Sequence, residues 1–255
     1  MDKEELNNST IIRNVSVDQS EILHNIMVLY NDNKPFDCDM TASTLAFYRK
    51  TKGDAYEIPT PKTLFDVCPQ VEGCQKIEPY KPLPLEDNSV GSLVIDLPFI
   101  ISSMEAPSKD KDGANMIMNR FASFYPVDLL YYNYAYWIKE AYRVVKPDGI
   151  VVFKTQSVIS GGIRINTEAY SFMCAMYNGF TIEDQFTLIA NNRIISPSKY
   201  KKQVHARSYT SQFFVFKKTL KKKSKDFNYW TAIPLIYENM DKLSNDVLIK
   251  DLAKK

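Results

Sequence analysis

The chain has 255 residues, 45% of them hydrophobic and 24% charged, with a formal net charge of +2. These are the proportions of one globular domain with a sizeable core, not of a disordered polyelectrolyte. Only eight residues are glycine, at positions 53, 73, 91, 113, 149, 161, 162 and 179, and no arrangement of them makes G-x-G-x-x-G or G-x-x-x-x-G-K-[ST], so a glycine-rich phosphate cradle of either kind is excluded.

The chain starts Met1-Asp2-Lys3-Glu4-Glu5 and nowhere holds about 18 consecutive apolar residues, which predicts a cytoplasmic protein with no membrane partner. Residues 16–30 read as a helix. Ser16-x-x-Gln19 looks like a capping box, and Ile22, Leu23, Ile26, Leu29 and Tyr30 share one face. Residues 64–68 form a short strand stopped by Pro69, and residues 89–95 form a strand apolar enough to be buried on both faces. Residues 129–145 are helical, closed by Lys146-Pro147-Asp148-Gly149, and residues 150–154 make the next strand. A helix over 167–177 with Asn178-Gly179 as its C-cap precedes strands at 184–190 and 212–217. Strands alternating with helices predict a mainly parallel, three-layer α/β sheet, in which ligands bind at the carboxyl ends of the strands. That rule singles out Asp66, Asp96 to Phe99, and Thr155-Gln156.

Between residues 199 and 225 lie ten basic residues and no Asp or Glu, so the rest of the chain carries about −8. Tyr200, Tyr209, Phe213, Phe214 and Phe216 are interleaved with them. The pattern suits contact with a polyanion backbone and its flat bases, although a solvated hairpin with an apolar inner face gives the same run. Residues 226–255 look like a helical appendage to a domain spanning 1–225; it packs on that domain or mediates a homodimer. Cys38, Cys68, Cys74 and Cys174, with His24 and His205, make no paired ligand set, so no metal is expected.

The most informative run ends Leu93-Val94-Ile95-Asp96-Leu97-Pro98-Phe99: a buried strand, an acid, a proline-stiffened turn and an aromatic. A carboxylate and a rigid backbone carbonyl can accept both hydrogens of an exocyclic amine, and an aromatic ring can stack on an extruded base. Here the sequence resembles the class I S-adenosylmethionine-dependent methyltransferases, and most closely the small phage and bacterial DNA amino-methyltransferases with a D-P-P-F/Y loop. Residues 136–150, with Arg143-Val144-Val145-Lys146-Pro147-Asp148-Gly149, resemble that family's helix, turn and fifth strand, and Phe153-Lys154-Thr155-Gln156 continues the likeness. Phe36-Asp37-Cys38-Asp39-Met40-Thr41-Ala42-Ser43 resembles its "F-D-x-D-x-T-x-S" stretch.

The resemblance implies a three-layer, Rossmann-like methyltransferase fold with an antiparallel C-terminal strand. It implies transfer of a methyl group from S-adenosylmethionine to the amine of a base in DNA, adenine N6 before cytosine N4. Asp96 and the Leu97 carbonyl would receive the amine hydrogens, Pro98 would hold the loop and Phe99 would stack on the base. Asp37, Asp39, Thr41, Ser43, Asp66 and Pro69 would hold the cofactor; Lys199, Lys201, Lys202, Arg207, Lys221, Lys222 and Lys223 would contact phosphates. The sequence departs from the family at two points. Leu97 replaces the first proline, and the F-x-G-x-G cofactor loop is absent, its nearest counterpart being Phe65-Asp66-Val67-Cys68-Pro69-Gln70. Those departures motivate a rival reading, a non-catalytic nucleic-acid-binding protein on a decayed methyltransferase scaffold; an RNA methyltransferase shares every residue argument.

Overall fold

A computed structural model of the chain describes residues 11–101, 123–124, 127–160, 162–190, 204–206 and 208–219. The elements in chain order are β1 (Val15–Ser16), α1 (Gln19–Tyr30), β2 (Cys38–Asp39), β3 (Thr63–Asp66), β4 (Gln75–Lys76), β5 (Val90–Asp96), β6 (Ile100–Ile101) and β7 (Ser123–Phe124). Then follow α2 (Val127–Val144), β8 (Val145–Thr155), β9 (Val158–Ser160), β10 (Ile163–Ile165), α3 (Thr167–Asn178), β11 (Thr181–Ile189) and β12 (Thr210–Lys217).

Eight strands form one sheet in the order β1-β11-β12-β8-β5-β2-β3-β4. From β4 to β8 every pairing is parallel, and β12 runs antiparallel to both β8 and β11. Strand alternation feeds two cores. Leu93, Ile95, Val151, Phe153, Phe214 and Phe216 face α2 and α3, where Tyr134, Trp137 and Ile138 pack on them. Val94, Ile150, Val152, Phe213 and Val215 face α1, meeting Ile22, Leu23 and Ile26. The result is a three-layer, Rossmann-like α/β architecture with a mainly parallel sheet and the antiparallel strand late in the chain.

Two sequence expectations change. Ser16 does not cap the first helix: Asp18 does, its carboxylate accepting from Ser20 N at 2.8 Å, because Val15 and Ser16 are drawn into parallel pairing with Thr187 and Leu188. The strand expected at 64–68 ends at Asp66, where the carboxylate turns back to accept from Cys68 N at 2.7 Å. The Gly179 C-cap is as expected, at φ +99°. The aromatic run 131–137 contributes core, with Tyr134 and Trp137 fully enclosed.

Arg143 fixes the approach to β5. Its guanidinium donates to the carbonyls of Leu83 (3.1 Å) and Leu85 (2.8 Å) and to the Asp87 carboxylate (2.7 Å), while Glu140 accepts from Leu83 N at 2.7 Å. The stretch from Leu83 to Asp87 is thereby bolted to α2, and β5 delivers Asp96 to a fixed point. No described helix is long and apolar enough to cross a membrane. The seven basic candidates Lys199, Lys201, Lys202, Arg207, Lys221, Lys222 and Lys223, and the appendage at 226–255, lie outside the described residues.

Candidate active site

The chain leaves β2 toward β3 and β4 on one side of the sheet and toward β5 and β8 on the other. The connections therefore diverge above the carboxyl ends of β2 and β5, the point where open parallel sheets form a ligand crevice. Asp39 and Asp96 stand at its two sides. Thr41 joins them: its hydroxyl accepts from Asp96 N at 2.8 Å and donates to Asp39 Oδ1 at 3.0 Å. Asp39 Oδ1 also accepts from Thr41 N (2.7 Å), and Oδ2 accepts from the Tyr48 hydroxyl (2.7 Å). Asp39 is 2% exposed. Burial pushes its carboxyl up to about 6 against the pull of those donors, and the nearby Asp96 charge adds to the rise.

The turn after β2 has glycine geometry without glycine. Ser43 (φ 42°) and Leu45 (φ 61°) both occupy the left-handed region. Asp66, at the end of β3, holds it there by accepting from Ser43 N at 2.9 Å, and Ala42 N donates to Phe65 O at 3.0 Å. Residues 39–45 and the end of β3, read separately in the sequence, thus form one connected wall. Ser43 is exposed, and Pro69, three residues after Asp66, is half-buried. A carboxylate offers about four acceptor positions; Asp66 has two of them taken by described donors.

Asp37 does not join this wall. It precedes β2 at the opposite end of the sheet, where its carboxylate accepts from Gly91 N (2.7 Å) and Ser92 N (3.2 Å) and clamps the start of β5. The alternation of the F-D-x-D stretch hides this, because the two acids flank Cys38 at opposite ends of a two-residue strand.

Across the crevice, the Asp96 carboxylate pairs with Lys154 Nζ at 3.1 Å, in register between β5 and β8. The ammonium also lies 4.9 Å from the Phe47 ring centroid and 5.6 Å from that of Phe213. Lys154 was legible in the sequence only as part of a family-like run; its signal is a single charge at the end of the apolar strand Val151-Val152-Phe153. Leu97 is buried against the α2 side, where a second proline would present less apolar surface. The Pro98 carbonyl accepts from the Tyr134 hydroxyl at 3.4 Å, and that hydroxyl accepts from Thr155 Oγ1, also at 3.4 Å. Phe99 is half-buried. Tyr134, deep in α2, is therefore a support for the loop that its sequence position did not reveal. Among the described residues no group of three His, Cys, Asp or Glu is placed to hold a metal.

No protein-family model and no curated protein matches the chain. Solved structures do. A candidate DNA modification methylase of Thermus thermophilus aligns at 12% identity with a TM-score of 0.36, over 55% of this chain and 50% of that one. The PvuII cytosine-N4-specific DNA methyltransferase aligns at 14% identity with a TM-score of 0.35, over 53% and 45%. A candidate methyltransferase in complex with the Haloferax volcanii Trm112 methyltransferase activator aligns at 13% identity with a TM-score of 0.40, over 75% and 86%. The chain thus spans about half the length of the first two. Likeness at this level says nothing of substrate, and the architecture rests on the strand order itself.

Proposed function

We propose that the chain transfers a methyl group from S-adenosylmethionine to the exocyclic amine of a nucleic-acid base, adenine N6 in DNA first and cytosine N4 second. One observation carries the reading. The Asp96-Leu97-Pro98-Phe99 loop stands at the carboxyl end of β5, on one side of the topological switch point, with the Asp39–Thr41 network on the other. An acid-and-carbonyl loop beside the sheet's own ligand crevice is the arrangement this reaction requires.

The donor set suits the cofactor. Its ribose hydroxyls need a carboxylate with free acceptor positions, which Asp66 has, and its methionine end needs a turn of exposed backbone with a hydroxyl, which Thr41 to Ser43 supply. When bound, the cofactor supplies an electrophilic methyl on a sulfonium, so no covalent enzyme intermediate is needed. The protein's share is placement. Asp96 and the Leu97 carbonyl receive the two amine hydrogens, which turns the nitrogen lone pair toward the methyl group. Tyr134 fixes Pro98, and Phe99 offers a ring face to the extruded base. Lys199, Lys201, Lys202, Arg207, Lys221, Lys222 and Lys223 contact phosphates, while Lys218 is held inside the fold by Asn88 and two backbone carbonyls.

Expression of the full chain in a methylation-deficient host, with modified bases mapped by single-molecule sequencing, tests the reading. Methylated adenine or cytosine supports it. If no base is modified and the purified protein binds no S-adenosylmethionine at millimolar concentration, the non-catalytic nucleic-acid-binding reading replaces it.

A further inference from the structure

Lys154 and Thr155, at the end of β8, and Gln156, just beyond it, follow one another at the carboxyl edge beside the end of β5. Lys154 holds the Asp96 carboxylate. Thr155, through the Tyr134 hydroxyl, holds the Pro98 carbonyl. Gln156 is different. It is 5% exposed, its Oε1 accepts from the Ser211 hydroxyl at 3.1 Å, and its Nε2 is buried without a hydrogen-bond partner. Buried amide N–H groups are almost always paired, because an unpaired one forfeits its solvation, so an exception asks for an explanation.

Its position supplies one. Gln156 lies two residues beyond Lys154, hence on the same face of the sheet and about 7 Å nearer the carboxyl edge. The β5–β8 pairing ends at Asp96 opposite Lys154, so Gln156 lies just past the paired stretch, at the edge where the loop after β5 begins. Ser211, on the neighbouring β12, holds the oxygen of the amide, which leaves the donor as the free end. Alongside two acceptors for an amine, the site therefore keeps one donor.

We propose that Gln156 donates from Nε2 to the unprotonated ring nitrogen next to the reacting amine, a base-contacting role that rests on the methyl-transfer reading above. Acceptor, acceptor and donor complement an amidine edge. Adenine presents it as N1 beside N6, and cytosine as N3 beside N4. Thymine and guanine show a carbonyl oxygen and a ring N–H at the corresponding edge, which meet the wrong partners. The free donor thus selects amine-bearing pyrimidine edges as a class.

The test uses the full chain and a DNA carrying the mapped target, compared with the same DNA holding 1-deazaadenine or 3-deazacytosine at that base. Gln156→Met keeps the side chain's length and removes the donor. It should lower kcat/KM about 10- to 100-fold, with S-adenosylmethionine affinity within about twofold of the original. The original protein should lose a similar factor on the deaza substrate, and the variant should lose nothing further there. Equal rates for protein and variant, or penalties that multiply, overturn the proposal. If Gln156→Met does not fold, indifference of the unaltered protein to the deaza substrate overturns it equally. If the unaltered protein transfers no methyl group at all, the reaction reading fails by itself, and the proposal is judged by the Gln156 side-chain amide resonance. A shift with adenosine or cytidine and none with its deaza analogue supports it; no shift with either overturns it.

Discussion

The Asp96 carboxylate and the Lys154 ammonium meet at 3.1 Å across two parallel strands, with side chains only 27% and 14% exposed, and the ammonium lies near the rings of Phe47 and Phe213. Removing one partner of such a pair strands the other. Lys154→Met should destabilise the fold by about 2 kcal/mol, below the full cost for a deeply buried pair because Asp96 keeps some solvent. Asp96→Asn combined with Lys154→Met should cost less than the two single changes added. Denaturant titrations of the four proteins check this, and strict additivity would mean that the pair is not coupled.

Asp96→Ala should abolish methyl transfer while S-adenosylmethionine still binds: under the proposed function the carboxylate receives the amine, and in the structure it pairs with Lys154, not with the turn after β2. Single-turnover transfer alongside a cofactor titration separates the two effects. Full retained activity would remove Asp96 from the chemistry.

Asp37 gives the opposite signature. Asp37→Ala leaves Gly91 N and Ser92 N without their acceptor at the far end of β5, so stability should fall by about 1–3 kcal/mol with cofactor affinity unchanged. A loss of affinity in a protein that melts normally would return Asp37 to the binding wall.

Asp39 makes stability depend on pH. Its carboxyl is raised from 3.8 to about 6 by burial, so the folded chain holds that proton more tightly than the unfolded one. This contribution is therefore fully present below about pH 4 and lost as pH climbs through about 6. Relative to Asp39→Asn, the unaltered protein should lose on the order of 3 kcal/mol across that window. Paired unfolding curves at pH 4 and pH 7.5 measure the difference; a gap that does not change with pH would show that Asp39 titrates as an ordinary surface acid.

Gly149 tests the packing of β8 on β5. A Cβ there would lie 2.6 Å from the Gly91 carbonyl oxygen and 2.7 Å from Val145 Cγ1. Gly149→Ala should cost about 1–3 kcal/mol, visible as a lowered melting temperature. Gly91→Ala meets only the Asp37 carboxylate, at 2.9 Å, a movable group, and should cost less.

Elements that carry their own pattern were readable from the sequence. The apolar run of β5 and the one-sided face of α2 announce themselves because burial on both faces makes the strand continuously apolar and burial on one face repeats at every third and fourth helix residue. Elements specified by distant partners were not. β1 exists because β11, some 170 positions later, pairs with Val15 and Ser16, and β2 is two residues long with an acid whose partner, Tyr48, lies nine residues on. The site divides in the same way. Asp96 to Phe99 and Thr155-Gln156 stood out as strand ends, whereas Lys154 matters through the register that brings β8 beside β5 and Tyr134 through the packing of α2 on the sheet. The turn at 40–45 was invisible because left-handed backbone without glycine leaves no mark in composition.

That turn has a cost. Each non-glycine residue held at positive φ carries on the order of 1 kcal/mol of strain, and here Ser43 and Leu45 carry it together. Asp66 and the end of β3 hold Ser43 in place from one side, and the amides of Tyr48 and Arg49, both donating to Leu45 O at 3.0 Å, hold Leu45 from the other. The turn is a bent spring whose shape is kept by its clamps, so loosening Asp66 would alter the curvature of residues 42–45 without replacing any of them.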